Sequence, residues 1–211
     1  TGLPTKTEQS DLLQVMYGRN GESPLPVIAA RSPADCFETA IEAWRVAAKF
    51  MCPVMVLSDG YIANGAEPWR IPDFNALEKI EIVHPGERSE EDPPFLPYKR
   101  DEFLSRPWAL PGTKGLEHRI GGLEKDHETG NVSYDPDNHQ RMCELRNEKV
   151  QKIAEFIPEQ EVFGEQSGDV LVLSWGGTYG ACVTAVTRCV SDGLSVGHAH
   201  LRHLCPFPRN L

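Results

Sequence analysis

Residues 26–30 (PVIAA) and 53–57 (PVMVL) are two short apolar runs separated by one helical pattern. Each run is too short for a helix and fits a buried strand. Between them, Ser32-Pro33-Ala34-Asp35 has the form of a helix start. Ser32 is placed to cap, Pro33 suits the first helical position, and Asp35 completes a box-like pattern. Phe37, Ile41, Trp44, Ala48 and Met51 then recur at spacings of three and four, one face of a helix running to about Phe50. Ser58-Asp59-Gly60 ends the second run. Strand, helix, strand within about thirty residues is a βαβ unit, which implies parallel strands and a right-handed crossover.

Upstream, residues 6–17 read as a helix with Leu12, Leu13, Val15 and Met16 on its apolar side, closed by Gly18. Downstream, residues 67–111 hold eight of the 17 prolines, so no regular element is expected there. Trp69, Phe74, Phe95, Tyr98, Phe103 and Trp108 make this stretch a packed arm rather than a free coil. Burial is expected for Trp69, Trp108 and Leu110, and mobility for residues 90–92 (EED), whose charges are too costly to bury. Residues 138–156 form a second helix, with Asn138 as cap and Met142, Leu145, Lys149, Ile153 and Phe156 along its face. Residues 169–174 (DVLVLS) are a strand, 175–180 (WGGTYG) a tight turn, 181–190 a helix closed by Gly193, and 194–204 a further strand ending at Pro206. The fold expected is α/β: two mainly parallel sheet layers joined by the proline-rich arm. The sections are residues 1–72, 73–137 and 138–211.

The composition narrows the partners. With 21 basic and 31 acidic residues the net charge is −10, which repels phosphate backbones and anionic lipid. No nucleic acid or membrane partner is expected, and no apolar run approaches the ~20 residues that span a bilayer. No secretory signal is visible. The six cysteines (Cys36, Cys52, Cys143, Cys182, Cys189, Cys205) include no C-x-x-C pair. Reduced thiols in a cytoplasmic protein follow.

Three constellations could carry chemistry. Residues 1–9 (TGLPTKTEQ) gather three hydroxyls, a cation and an amide at a helix start, which suits a carboxylate or phosphate; Thr5 or Thr7 could equally be plain caps. Gly176-Gly177-Thr178-Tyr179-Gly180 lies where a phosphate loop would lie, between strand and helix. It matches no nucleotide fingerprint, and glycines for a tight turn explain it as well. His198 and His200 share one strand face and His203 takes the other; a third metal ligand is not indicated. Asp59, Glu67, Glu117 and Glu124 show no pairing that spacing reveals. No catalytic residue and no metal ligand is assigned.

Longer phrases carry a resemblance. They are TGLPTKTEQSDL (1–12), YGRNGESPLPVIAA (17–30), PVMVLSDGYIANGAEPWRIP (53–72), RPWALPGTKGLEHRIGGLEKD (106–126), SYDPDNHQRM (133–142), SWGGTYGACVTAV (174–186) and HAHLRHLCPFPRNL (198–211). Together they resemble the α subunit of 2-oxoacid:ferredoxin oxidoreductases, with the 2-oxoglutarate branch fitting best. The resemblance implies an enzyme that oxidises a 2-oxoacid with thiamine diphosphate, passes electrons through iron–sulfur clusters to ferredoxin, and releases an acyl-coenzyme A. It implies the second half of a pyrimidine-binding domain over 1–72, the connecting arm, and most of a transketolase-C-like domain over 138–211. The β subunit would hold the diphosphate, Mg²⁺ and the cluster, with none of these expected on this chain alone. The family's activating glutamate and an arginine before the T-G-L-P-T motif would lie upstream of Thr1. The resemblance places Thr1 and Thr5 beside the 2-oxoacid carboxylates, and Lys6, from its position, near the distal one. The alternatives are the same chemistry on pyruvate or a branched-chain 2-oxoacid, a non-catalytic subunit-interaction module, and a nucleotide-binding βαβ protein.

Overall fold

The computed structural model describes residues 10–211. The described part of the first helix, α1, is Ser10–Tyr17. Strand β1 (Val27–Ala29), helix α2 (Asp35–Phe50) and strand β2 (Met55–Leu57) form the expected unit, with β1 and β2 parallel and Val27 opposite Met55. Ser32 does hold the start of α2, since its Oγ accepts the Asp35 N–H at 3.3 Å. The Asp35 carboxylate reaches back to the Arg31 N–H at 3.1 Å. The helix ends at Phe50 because Met51 turns left-handed, with φ 46°. Helix α3 (Gly60–Asn64) follows β2 directly and is capped by Asp59.

Helix α4 (Pro136–Lys152) starts earlier than the sequence suggests. Asp135, not Asn138, is its cap, accepting the N–H groups of Asp137 and Asn138 at 2.8 and 3.2 Å. Asn138 is bonded instead to the arm, accepting from His127 N and donating to Lys125 O. Pro136 at the first helical position allows the earlier start. A short 3-10 turn (Ile153–Glu155) continues α4.

The second sheet has strands β3 (Val162–Gly164), β4 (Val170–Trp175) and β5 (Val196–Leu201), in the order β3-β5-β4, with α5 (Tyr179–Ser191) as the crossover helix. β4 and β5 run parallel, and β3 lies antiparallel to β5. Residues 194–204 are not one strand. The chain bends at Arg202, and β6 (His203–Cys205) leaves β5 to pair antiparallel with β1, giving the first sheet the order β2-β1-β6. Both sheets are therefore mixed, each with one parallel and one antiparallel pair, rather than mainly parallel. The physical reason is that both extra strands are three-residue edge pieces, and antiparallel pairing needs no crossover helix.

One core cluster joins the two parts of the chain. Val46 and Phe50 of α2 pack on Ile153 and Ile157 beyond α4, with Phe103 of the arm against them. A second cluster holds Val27, Ala29 and Leu204, with α1 side chains and Trp175 around it. The arm is anchored by polar contacts to the end of α2. Ser105 Oγ donates to Lys49 O at 2.6 Å, and Trp108 Nε1 to Ala48 O at 2.8 Å. Trp108 is half-buried, but Trp69 is 48% exposed and Leu110 51% exposed, contrary to expectation. Trp69 lies on the outside of α2, its ring 5.4 Å from that of Phe37, so one face stays in solvent. Residues 90–92 are exposed. All six cysteines are free thiols. Among the described residues no helix is long and apolar enough to cross a membrane.

Candidate functional site

In open α/β sheets, ligands bind beyond the carboxyl ends of the parallel strands. Here β1 leads into Arg31, β2 into Asp59, and β4 into Gly176, so the ends of two sheets meet. Asp59 joins them. Its Oδ1 accepts the Ile62 N–H at 2.8 Å, and its Oδ2 accepts the Gly177 N–H at 2.6 Å. Gly176 adopts φ +66°, which favours glycine. At Gly177 the constraint is proximity: a Cβ there would lie 2.7 Å from Asp59 Oδ2. The glycines thus serve a turn pressed against a carboxylate. The N–H that a phosphate would need is already paired with an anion of the same chain, so the turn gives no support to a nucleotide site.

Beside this turn lies a partly buried polar cluster. Tyr179, the first residue of α5, has the Arg31 guanidinium 5.0 Å from its ring centre. The rings of His200 and His198 are 4.9 and 6.2 Å from it. Ser174 Oγ bridges the two histidines, 2.8 Å from His198 Nε2 and 2.8 Å from His200 Nδ1. His198 is only 1% exposed. Burial lowers its pKa, and burial with the neighbouring His198 and Arg31 lowers that of His200 to about 4. Both imidazoles are therefore neutral near pH 7. A hydroxyl has one proton, so Ser174 donates to one ring and accepts from the other. Because it faces Nε2 of His198 but Nδ1 of His200, the two rings hold the same tautomer, both Nδ1–H or both Nε2–H. The outer nitrogens, His198 Nδ1 and His200 Nε2, are buried without a partner.

Asp35 closes the cluster. It accepts from Thr39 Oγ1 at 3.2 Å and faces Arg31 at 3.6 Å and Arg202 at 3.5 Å. Arg202 Nη2 also donates to Thr39 Oγ1 at 3.1 Å. Chemically, the cluster can pass or hold one proton between two neutral bases. Among the described residues no group of three His, Cys, Asp or Glu is placed to hold a metal ion.

Thr1, Thr5 and Lys6 lie outside the described residues. His198 and His200 do share a face. His203 is separated from them in the first sheet, 3.9 Å from Glu42 Oε1, with its pKa pushed down to about 4 by burial. Of the four carboxylates without visible pairing, Asp59 holds Gly177, and Glu67 accepts from Ser32 Oγ and Ala34 N at 2.5 Å. Glu124 pairs with His139 and Arg146, and Glu117 is exposed. The sequence reading assigned no site role to Ser174, Arg31, Asp35 or Tyr179. Tyr179 stood out only as part of the glycine turn, Asp35 only at the start of α2, and Ser174 only as the polar residue ending an otherwise apolar strand.

Comparison with known proteins follows the same outline. The family described as "Pyruvate flavodoxin/ferredoxin oxidoreductase, thiamine diP-bdg" matches residues 1–135. The 2-oxoglutarate oxidoreductase subunit KorA of Mycobacterium tuberculosis is 56% identical over 216 residues, covering 100% of this chain and 32% of its own. The α subunit of 2-oxoacid:ferredoxin oxidoreductase 1 of Aeropyrum pernix is 31% identical, covering 99% of this chain and 32% of its own. This chain therefore spans about a third of the length of these two relatives. A solved structure of 2-oxoglutarate:ferredoxin oxidoreductase from Magnetococcus marinus, with 2-oxoglutarate, coenzyme A and succinyl-CoA bound, superposes with TM-score 0.84 at 33% identity, covering 98% of this chain and 36% of that one.

Proposed function

We propose that this chain, which belongs to the pyruvate flavodoxin/ferredoxin oxidoreductase family, is part of the α subunit of an enzyme acting on 2-oxoglutarate. The reaction is oxidative decarboxylation to succinyl-CoA, with the electrons passed to ferredoxin. The observation that carries the reading is the 56% identity, along the whole chain, to a 2-oxoglutarate oxidoreductase subunit. The Magnetococcus marinus structure, bound to 2-oxoglutarate and succinyl-CoA, supports it through a shared backbone. The proposed partners are a β subunit, ferredoxin, the 2-oxoacid and coenzyme A, in a cytoplasmic complex. The division at residues 72 and 137 into pyrimidine-domain half, arm and transketolase-C-like domain is part of the same proposal.

The family implies thiamine diphosphate with Mg²⁺ and an iron–sulfur cluster. The described residues do not fit these groups. The glycine turn after β4 has its Gly177 N–H paired with Asp59, and no three suitable side chains gather to hold a metal ion. As the family resemblance implies, the diphosphate, the Mg²⁺ and the cluster are proposed to lie on the β subunit. Thr1, Thr5 and Lys6 are proposed to contact the substrate carboxylates.

The test is reconstitution. Full-length α and β subunits should reduce a viologen dye with 2-oxoglutarate and coenzyme A; faster reduction with pyruvate or a branched-chain 2-oxoacid would overturn the substrate assignment. In the same assay Thr5→Val should lower kcat/KM by roughly 10- to 150-fold, the worth of one hydroxyl bond to a carboxylate. A lowered melting temperature with unchanged kinetics would make Thr5 a cap only.

A further inference from the structure

On α4, away from the seam between the sheets, His139, Cys143 and Arg146 occupy one helix face at spacings of four and three. His139 Nε2 lies 3.8 Å from Cys143 Sγ, and His139 Nδ1 lies 2.7 Å from Glu124 Oε2. Arg146 Nη2 is 3.3 Å from the same sulfur. The guanidinium is itself held, with Nε 2.5 Å from Glu22 Oε1 and Nη1 3.6 Å from Glu124 Oε1. This is a nucleophile beside a base, with the base oriented by a third group. The Glu124 carboxylate can only accept, so it takes the Nδ1 proton and leaves Nε2 as the basic nitrogen facing the thiol.

We propose that Cys143 is a reactive thiol, activated by His139 and Arg146, that a small neutral peroxide oxidises to a sulfenic acid. The thiol proton passes to His139 Nε2, leaving a thiolate between an imidazolium and a guanidinium. The sulfur attacks one peroxide oxygen; the S–O bond forms as the O–O bond breaks. The departing hydroxide takes the proton from His139 Nε2 and leaves as water. Sulfur loses two electrons, the peroxide gains them, and His139 returns to its neutral form.

The size and charge of the reactant follow from the site. Cys143 is half-buried and the His139 side chain is 62% exposed, so a small molecule reaches the sulfur. The chain carries a net charge of −10, so an anionic disulfide is disfavoured as the reactant. The same chain supplies contrasting thiols. Burial raises the pKa of Cys52 and Cys205, and burial with the carboxylates of Asp35, Glu67 and Asp59 raises that of Cys36. Those thiols stay protonated and unreactive.

An ordinary thiol with pKa about 8.5 is only about 3% thiolate at pH 7, so complete ionisation raises the reaction rate by at most about thirtyfold. The experiment treats the full-length protein with limiting hydrogen peroxide, traps sulfenic acid with dimedone, and follows each cysteine by mass spectrometry. Cys143 should label fastest of the six. His139→Gln should slow it by roughly threefold to thirtyfold, and His139→Asn likewise, with circular dichroism unchanged because this side chain is largely exposed. If Cys182 or Cys189 labels as fast as Cys143, or if both His139 variants label at the original rate, the proposal is wrong.

Discussion

Replacing Gly177 with alanine puts a methyl group where the Asp59 carboxylate now lies. The added Cβ would be 2.7 Å from Oδ2, 2.8 Å from Oδ1 and 3.1 Å from Cγ, all well inside contact distance. The carboxylate must retreat, and its 2.6 Å bond from the Gly177 N–H is lost. A hydrogen bond to a charged group is worth about 1.5–3 kcal/mol. The alanine also stiffens the unfolded chain, which returns about 0.4–1 kcal/mol. The net loss is therefore about 0.5–2.6 kcal/mol, or a fall in Tm of roughly 1–10 °C for a chain of this size. Gly180→Ala is the internal control. Nothing lies within 4 Å of a Cβ there, and the residue is in the first turn of α5, so stability should rise by about 0.4–1 kcal/mol. Urea melts of both variants and of an Asp59→Ala, Gly177→Ala double-mutant cycle decide the matter. Equal gains for the two glycine variants, or a double mutant additive within about 0.5 kcal/mol, would show that the two groups are not coupled.

Ser174→Ala strips the partner from two buried imidazole nitrogens and should cost about 1–3 kcal/mol in the same melts, whereas Ser174→Thr should restore the bridge. Acid should destabilise the chain through His200 and His203, whose folded pKa values of about 4 lie below the ordinary 6.5. Between those limits the unfolded chain binds more protons, so stability falls as pH drops from about 6.5 toward 4, by up to about 1.4 kcal/mol per pH unit for each histidine. His203→Gln should flatten that slope, and a stability curve level across this range would contradict the burial of both rings. Trp108→Phe keeps the ring against α2 but removes its bond to Ala48 O, and should cost about 1 kcal/mol by thermal denaturation. No change would mean that the arm is held by packing alone.

The strands and helix around residues 26–57 were legible because local signals agreed there: apolar runs, a capping serine and a helix face of constant period. The end of α2 at Phe50 and the shared face of His198 and His200 followed from the same periodicities. β3 left no such signal, being three residues within a polar stretch. β6 was hidden differently, since alternation runs through residues 198–202 and its break at Arg202-His203 says nothing of which sheet the next strand joins. Ser174 became a site residue only through the register that sets it opposite His200. Asp59 and Gly177 are 118 positions apart, beyond any spacing rule. Apolarity marked Trp69 and Leu110 as packing residues, yet it could not say whether anything covers them.

β6 also sets the order of assembly. In the finished structure β1 is fully covered, with Val27 opposite Cys205 and Ile28 opposite His203. During synthesis those partners emerge long after β1, so its apolar edge waits until residues 203–205 have followed. The β4-α5-β5 unit, by contrast, is made of close neighbours in sequence and can form on its own schedule. Long-range pairing of this kind is slow, and an open strand edge is a template for wrong partners in the interval. A ribosome-bound chain stopped before residue 203 should therefore expose β1 to chaperones and proteases, and emergence of β6 should bury it in one step.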